Sequence, residues 1–180
     1  MSSIVIQGDT SGSITLAAPL VAGSNTITLP AATGTVMVSG NMPAFAVYNS
    51  AYASIANATY TKLAFNTELF DTANAFDSTT NYRFQPTVAG YYQINATITA
   101  GTSATGALYT AIFKNGSIYT QGNVIPLNAS ININPVINQL MYLNGTDYIE
   151  IYAYQNSGTS LNIGSNGTNQ IFSGALVRAA

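Results

Sequence analysis

The chain of 180 residues contains no cysteine and no histidine. Without cysteine it has no disulfide framework, no thiolate metal ligand and no cysteine nucleophile. Without histidine, only Asp, Glu, Lys and Tyr remain as acid–base groups, and the Ser and Thr hydroxyls have no evident base to activate them. Asp147 and Glu150 are three residues apart where a predicted strand begins, so they face opposite ways and cannot act as a carboxylate pair. We therefore expect that the protein is not an enzyme and uses no cofactor.

Charged side chains are scarce, at 6% of all residues, against roughly 25% in an average soluble domain. The four basic residues are scattered along the chain: Lys62, Arg83, Lys114 and Arg178. They cannot form the patch that binds nucleic-acid phosphates or anionic lipids, so we expect neither a nucleic-acid nor a membrane partner. So little charge is typical of a surface covered by copies of the same chain or by a large assembly. The alternative is a β-protein kept in solution by its hydroxyl and amide groups.

Long apolar segments are also missing. No apolar run approaches the roughly 20 residues of a membrane-spanning helix. The segment from Met1 to Asp9 has neither the basic part nor the long apolar part of a secretory signal peptide. We expect the chain to be made and assembled inside a cell, or to leave it by lysis or another route.

Residues 1–40 contain no aromatic side chain, whereas all 12 Tyr and 7 Phe lie further along the chain. A separate core without aromatic residues is unfavourable, because these side chains dominate core burial. Alternating residues at Ile14/Leu16 and at Ile27/Leu29 are typical of short strands. We interpret residues 1–40 as an extended N-terminal β arm that attaches the protein to a neighbour through these four residues. A flexible leader is the alternative.

Residues 41–180 are divided by Pro and Gly into short strands rich in aromatic residues. The Asn115–Gly116 pair is the strongest hairpin-turn signal, and Asn144–Gly145 predicts a second turn of this kind. Ten strands of this length predict an all-β fold, a ten-stranded two-sheet jelly-roll sandwich, behind the extended β arm. The predicted strands are Ala44–Tyr48, Tyr60–Phe65, Glu68–Phe70, Tyr82–Phe84, Tyr91–Ala100, Leu108–Lys114, Ser117–Gln121, Ile131–Leu143, Tyr148–Tyr154 and Gln170–Val177.

One series of motifs matches a known family. Phe70–Asp71, Tyr82–Phe84, Pro86 and Gly90–Tyr92 follow one another in that order. The series resembles the globular head shared by complement and tumour-necrosis-factor ligands, and the resemblance extends over residues 41–180. It implies a jelly-roll fold and a homotrimer that serves as a binding or structural module.

Departures from that family favour a virus over an animal immune or hormone role. No collagen-like Gly-X-Y tract precedes the head, and neither cysteines nor a signal peptide are present. The segment from Gly12 to Val36 is similar to one in structural proteins of tailed bacteriophages, where it precedes a fibre or head domain.

Asp71, Asn74 and Asp77 are weak candidates for metal ligands. Their side-chain oxygen atoms suit a calcium ion. Their spacing is not that of a known calcium loop, and Asx residues are common turn formers. We therefore assign no metal.

Tyr148, Tyr152 and Tyr154 lie on one face of a predicted strand. In one interpretation this tyrosine row is the threefold contact of the trimer that the resemblance implies. In the other it is a sugar-binding surface. Aromatic rows suit an apolar contact, which favours the trimer interface.

These observations predict a trimeric structural protein on the surface of a tailed-phage virion, assembled in the host cytoplasm. A head on a short arm, without a long shaft, favours a capsid decoration (cement) protein. Its partners would then be its own copies and, through residues 1–40, the major capsid protein or another virion protein. The alternative is the receptor-binding tip of a tail or head fibre that recognises host surface glycans.

Overall fold

The computed structural model describes residues 3–21, 23–24, 26, 31, 36–38, 40, 42–100, 105–164 and 169–180. The chain forms two compact units, Met1–Gly34 and Thr35–Ala180. Met37 is half-buried and packs against the core of the second unit. That unit, which we call the head, therefore begins before the predicted boundary at residue 41.

All named elements of the described residues are β-strands. They are β1 (Ser3–Gln7), β2 (Ser13–Ala17), β3 (Ala44–Tyr48), β4 (Ala53–Ile55), β5 (Thr61–Lys62), β6 (Thr67–Asp71), β7 (Phe76–Asp77), β8 (Arg83–Phe84), β9 (Gly90–Thr97), β10 (Ala107–Lys114), β11 (Ser117–Gln121), β12 (Ile125–Pro126), β13 (Val136–Leu143), β14 (Ile149–Gln155), β15 (Leu161–Ile163) and β16 (Ile171–Ala179). Within the described ranges, no helix is long and apolar enough to cross a membrane.

The first unit contains an antiparallel hairpin of β1 and β2, which we call the N-terminal hairpin. Ile4 lies opposite Leu16, and Ile6 lies opposite Ile14. The predicted strand with Ile14 and Leu16 is therefore present as β2. The predicted strand with Ile27 and Leu29 lies outside the described residues.

The head is a sandwich of two antiparallel sheets, which confirms the predicted jelly-roll fold. The five-stranded sheet has the order β13-β9-β16-β3-β6. The seven-stranded sheet has the order β11-β10-β14-β8-β7, with β12 paired to β10 and β5 paired to β14. Every predicted strand overlaps an observed one, and the described head also contains the short strands β4, β7, β12 and β15.

Aromatic residues join the two sheets. Phe45 on β3 stacks on Phe84 of β8, with ring centroids 4.1 Å apart, and meets Phe172 of β16 edge-on at 4.9 Å. All three are fully buried, and each contributes about 2–3 kcal/mol of hydrophobic stabilisation relative to an exposed ring. The core therefore depends on rings that the sequence places at inward positions of short strands.

One of the two predicted hairpin turns is present in the structure, and the other is not. Asn115 (φ 52°) and Gly116 (φ 77°) both have the left-handed backbone of a type I′ turn and connect β10 to β11, as predicted. The prediction for Asn144–Gly145 is wrong, because β13 and β14 belong to different sheets. Asn144 instead uses its Oδ1 atom to accept the backbone N–H groups of Thr146 and Asp147, so this loop crosses between sheets.

Candidate interaction surfaces

The outward side of the five-stranded sheet, which we call the open face, carries exposed apolar side chains. Alternation along β13 buries Ile137, Met141 and Leu143 and turns the residues between them outward. The outward apolar residues of the sheet include Val136, Leu140 and Tyr142 on β13, Tyr91 on β9 and Phe70 on β6, which are 41–52% exposed. Tyr142 and Tyr91 are cross-strand neighbours with ring centroids 5.5 Å apart.

Charge on the five-stranded sheet is confined to its β6 edge and one arginine. Strands β3, β9, β13 and β16 contain a single charged residue, Arg178, near the end of β16, whereas the edge strand β6 contains Glu68 and Asp71. A polar rung of Asn138, Asn95 and Ser173 crosses the middle of the face and lines a shallow depression of about 300 Å³. Amides in such a rung need hydrogen-bond partners once water is excluded. The face therefore suits a specific contact, because a partner must match both its apolar residues and this rung.

The predicted tyrosine row lies on the opposite side of the head, on the outward side of the seven-stranded sheet. Tyr152 stacks on Phe113 with ring centroids 3.9 Å apart, and Tyr154 stacks on Tyr109 at 5.0 Å. Tyr148 lies beneath the guanidinium of Arg83, at 4.3 Å. These three tyrosines are half-buried by contacts within one chain, and their role in a trimer stays a prediction.

A charged pair lies beside the tyrosine row. Glu150 lies on the same side of β14 as Tyr152, yet it is buried, and it forms an ion pair with Lys62. Burial, together with the negative charge of Glu150, raises the pKa of Tyr152. Burial and the neighbouring Tyr60 hydroxyl likewise raise the pKa of Tyr109. These phenols therefore remain neutral hydrogen-bonding groups at ordinary pH.

Asp147 belongs to a separate network. Its carboxylate accepts hydrogen bonds from Lys114 Nζ at 2.8 Å, Asn115 Nδ2 at 2.7 Å and the backbone N–H of Asn144 at 3.0 Å. Burial by itself would raise the pKa of Asp147, but the hydrogen bonds from Lys114 and Asn115 outweigh it and lower the pKa. Each of the two buried carboxylates thus has its own lysine, and the geometry is that of structural ion pairs.

The weak metal candidates form turns. Asp71 accepts the backbone N–H groups of Ala73 and Phe76, and Asn74 has a left-handed φ of 49°. Asp77 accepts hydrogen bonds from the backbone of Thr79, Thr80 and Asn81. The bonds from Thr80 and Thr79 hold the pKa of Asp77 far below its usual range. Among the described residues, no cluster of three or more acidic, His or Cys side chains is placed to hold a metal ion.

The N-terminal hairpin exposes its aliphatic residues. Ile14 and Leu16, predicted to attach the arm, are 66% and 57% exposed, and their cross-strand neighbours Ile6 and Ile4 are 54% and 65% exposed. Among the described residues, this hairpin and the open face are both exposed apolar surfaces.

The sequence predicted a strand at Ile14 and Leu16, but it predicted neither strand β1 with Ile4 and Ile6 nor the open face. The signal was present in the lack of charge at alternating positions of the predicted strands Tyr91–Ala100 and Ile131–Leu143. The tyrosine row is the stronger pattern in the sequence, since three rings on one strand suggest a contact surface more strongly than scattered aliphatic residues do.

Comparisons with known proteins show the fold of the head. No protein-family model and no curated protein sequence matches the chain. The globular domain of zebrafish complement 1qA is similar with a TM-score of 0.54 and 18% identity, over 77% of this chain and 99% of that one. Murine APRIL is similar with a TM-score of 0.56 and 8% identity, over 76% of this chain and 99% of that one. PRD1 vertex protein P5, a phage protein, is similar with a TM-score of 0.53 and 18% identity, over 77% and 98%.

Proposed function

We propose that the protein is a homotrimeric structural protein on the surface of a tailed-phage virion, and specifically a capsid decoration (cement) protein. The observation that carries the proposal is the exposed apolar open face, with charge only at Arg178 and on the β6 edge, on a complement/tumour-necrosis-factor-like head. Similarity to a protein whose name places it at a vertex supports a position on a capsid shell. Assembly takes place in the host cytoplasm.

The trimer contact is best supported at the open face. Its apolar residues are about half exposed, so burial against a second copy would stabilise association by about 1 kcal/mol for each side chain. Burial of the tyrosine row would stabilise a trimer less, because its rings already stack within one chain. Association through the open face also explains the low charge, since interface centres are depleted of charged residues.

Attachment to the particle is assigned to the N-terminal arm, residues 1–40, with the major capsid protein or another virion protein as its partner. In the N-terminal hairpin, β1 and β2 pair only with each other among the described strands. The outer edges of β1 and β2 therefore present backbone groups that can extend a sheet of the partner. Three arms for each trimer add avidity to contacts that are individually weak.

Electron microscopy of intact particles tests the location. We expect density for the head at a fixed capsid site with threefold symmetry. Density at the tip of a tail or head fibre would instead support the alternative, a receptor-binding tip that recognises host surface glycans. That alternative has less support, because stacking within the chain covers ring faces of Tyr152 and Tyr154 that a sugar would need.

Deleting residues 1–34 tests the role of the arm. This deletion keeps Met37, which packs against the core, so it separates attachment from folding better than a deletion of residues 1–40. We expect a folded trimer that no longer binds particles, measured by sedimentation and by co-pelleting with particles that lack the protein. Full occupancy of particles by the truncated protein would show that the arm is not the anchor.

A further inference from the structure

The N-terminal hairpin has one apolar side and one mixed side. Ile4, Ile6, Ile14 and Leu16 form two cross-strand pairs on the apolar side, and each is more than half exposed. Thr15 lies opposite Val5 on the other side. The four apolar residues form a contiguous aliphatic patch, because cross-strand neighbours lie about 5 Å apart.

A two-stranded hairpin is marginally stable in water unless another layer packs on it. All four aliphatic side chains are exposed in a single copy, and no other described strand pairs with the hairpin, so another molecule can supply this layer. A partner for the apolar side must itself be apolar there, and it must not bring an unpaired charge into the contact.

We propose that this layer is the same side of the hairpin in other copies of the chain, so that three hairpins pack together around the trimer axis. The inference rests on the proposed trimer. Each hairpin supplies four aliphatic side chains, and three copies supply 3 × 4 = 12 to one small core. Symmetry makes the three contacts equivalent, and aliphatic patches can pack on one another without a matched charge or hydrogen bond.

The low charge of the N-terminal region and the small area of the patch both favour copies of this chain as the molecules that cover the apolar side of the hairpin. Asp9, in the connection between β1 and β2, is the sole charged residue before Lys62, so little repulsion opposes the approach of three hairpins. Four side chains cover far less than the roughly 800 Å² per partner of a stable interface. Such a contact forms when the trimer of heads holds the hairpins at high effective concentration, and not between untethered molecules.

This packing is compatible with the proposed attachment. Face-to-face contact uses side chains, whereas strand addition uses the backbone at the outer edges of β1 and β2. Both edges remain free when the apolar sides meet.

Single-cysteine variants of the full chain test the inference, because the natural chain has no cysteine and gives no background. Ile14→Cys places a thiol on the apolar side, and its matched control, Thr15→Cys, places one at the next position on the opposite side. Both positions are exposed in a single copy. A bifunctional maleimide that spans about 10 Å, the distance between packed sheets, is added to each variant, and linked chains are counted by denaturing electrophoresis.

We expect Ile14→Cys to link up to two of every three chains into dimers, and Thr15→Cys to give several-fold less. Ile6→Cys and Val5→Cys repeat the comparison on β1 in case one substitution impairs folding. Sedimentation of the same samples measures the oligomeric state independently of the cross-linking. Equal linking on both sides, or no linking, in a sample that sediments as a trimer would overturn the inference and leave the trimer proposal standing. A monomeric sample would overturn the trimer proposal itself.

Discussion

Tyr92 combines complete burial with a phenol that titrates. Its hydroxyl donates a hydrogen bond to the carbonyl oxygen of Val88 at 2.6 Å. Burial raises the pKa of Tyr92 from about 10 to about 12. Because the unfolded chain ionises first, the stabilisation that depends on the neutral phenol is fully present below pH 10 and is lost as the pH rises toward 12. We expect the free energy of unfolding to fall across this window, by up to about 1.4 kcal/mol per pH unit for this group.

Tyr92→Phe is the control for that pH dependence. Removing the hydroxyl costs about 1 kcal/mol at neutral pH, because the Val88 carbonyl loses its donor. The same change should make the loss of unfolding free energy at alkaline pH less steep, and the remaining loss comes from Tyr109 and Tyr152, whose pKa values are also raised. Urea unfolding at several pH values and one fixed chain concentration measures the difference. A difference between natural and variant protein that does not depend on pH would contradict the assignment.

The ion pair of Lys114 with buried Asp147 gives a second prediction at the scale of residues. Lys114→Met leaves the carboxylate without its charged donor, which we expect to lower the free energy of unfolding by about 2 kcal/mol. Adding Asp147→Asn should recover part of this loss, because the unpaired charge is then gone while an amide oxygen still accepts a hydrogen bond from Asn115 or Asn144. Urea unfolding of both variants measures the effect, and a double variant less stable than the single one would contradict it.

Asp147 lies in the loop before β14, Glu150 lies within β14, and each forms an ion pair with a different lysine. The sequence did not predict which lysine pairs with which carboxylate. Lys62 and Glu150 are 88 positions apart and meet because β5 pairs with β14, so the pairing depends on the whole sheet.

Among the elements, the Asn115–Gly116 turn joins two parts of the head. Asn115 donates from Nδ2 to Asp147, and its Oδ1 atom accepts the backbone N–H of Tyr148 at 2.9 Å. Asn115→Gly keeps a residue that tolerates the left-handed backbone but loses both bonds, at an expected cost of about 2 kcal/mol. Asn115→Ala should cost about 1 kcal/mol more, because alanine is strained at this φ. Thermal unfolding of the pair of variants measures the difference, and equal midpoints would show that the backbone conformation adds nothing.

Local turn chemistry explains which elements the sequence predicted. Asn115–Gly116 was predictable because a two-residue turn needs left-handed residues at both positions. At Asn144–Gly145 the same pair of residues occurs between strands of different sheets, and no local signal distinguishes the two cases. Strands β4, β7, β12 and β15 have two or three residues each, too few to show an alternating pattern.

At the scale of the whole molecule, substitutions on the open face and on the tyrosine row distinguish the two candidate trimer interfaces. Leu140→Glu places a carboxylate on the open face in each of three copies, and we expect a folded monomer in sedimentation at micromolar concentration. Tyr152→Asp removes the stack on Phe113 and adds a carboxylate near Glu150, so we expect a less stable chain that still forms trimers. If Tyr152→Asp separates the subunits and Leu140→Glu does not, the tyrosine row is the interface.

Strand β13 forms an edge of the five-stranded sheet and contains eight residues without a charge or a proline. Edge strands of this kind pair readily with other chains, and most proteins protect them with charges, prolines or bulges. A newly synthesised subunit would therefore be prone to aggregate for as long as it stays alone. In a cell that makes many copies, aggregation and correct assembly would compete for the same unassembled subunit, and the rate of subunit encounter would determine the yield.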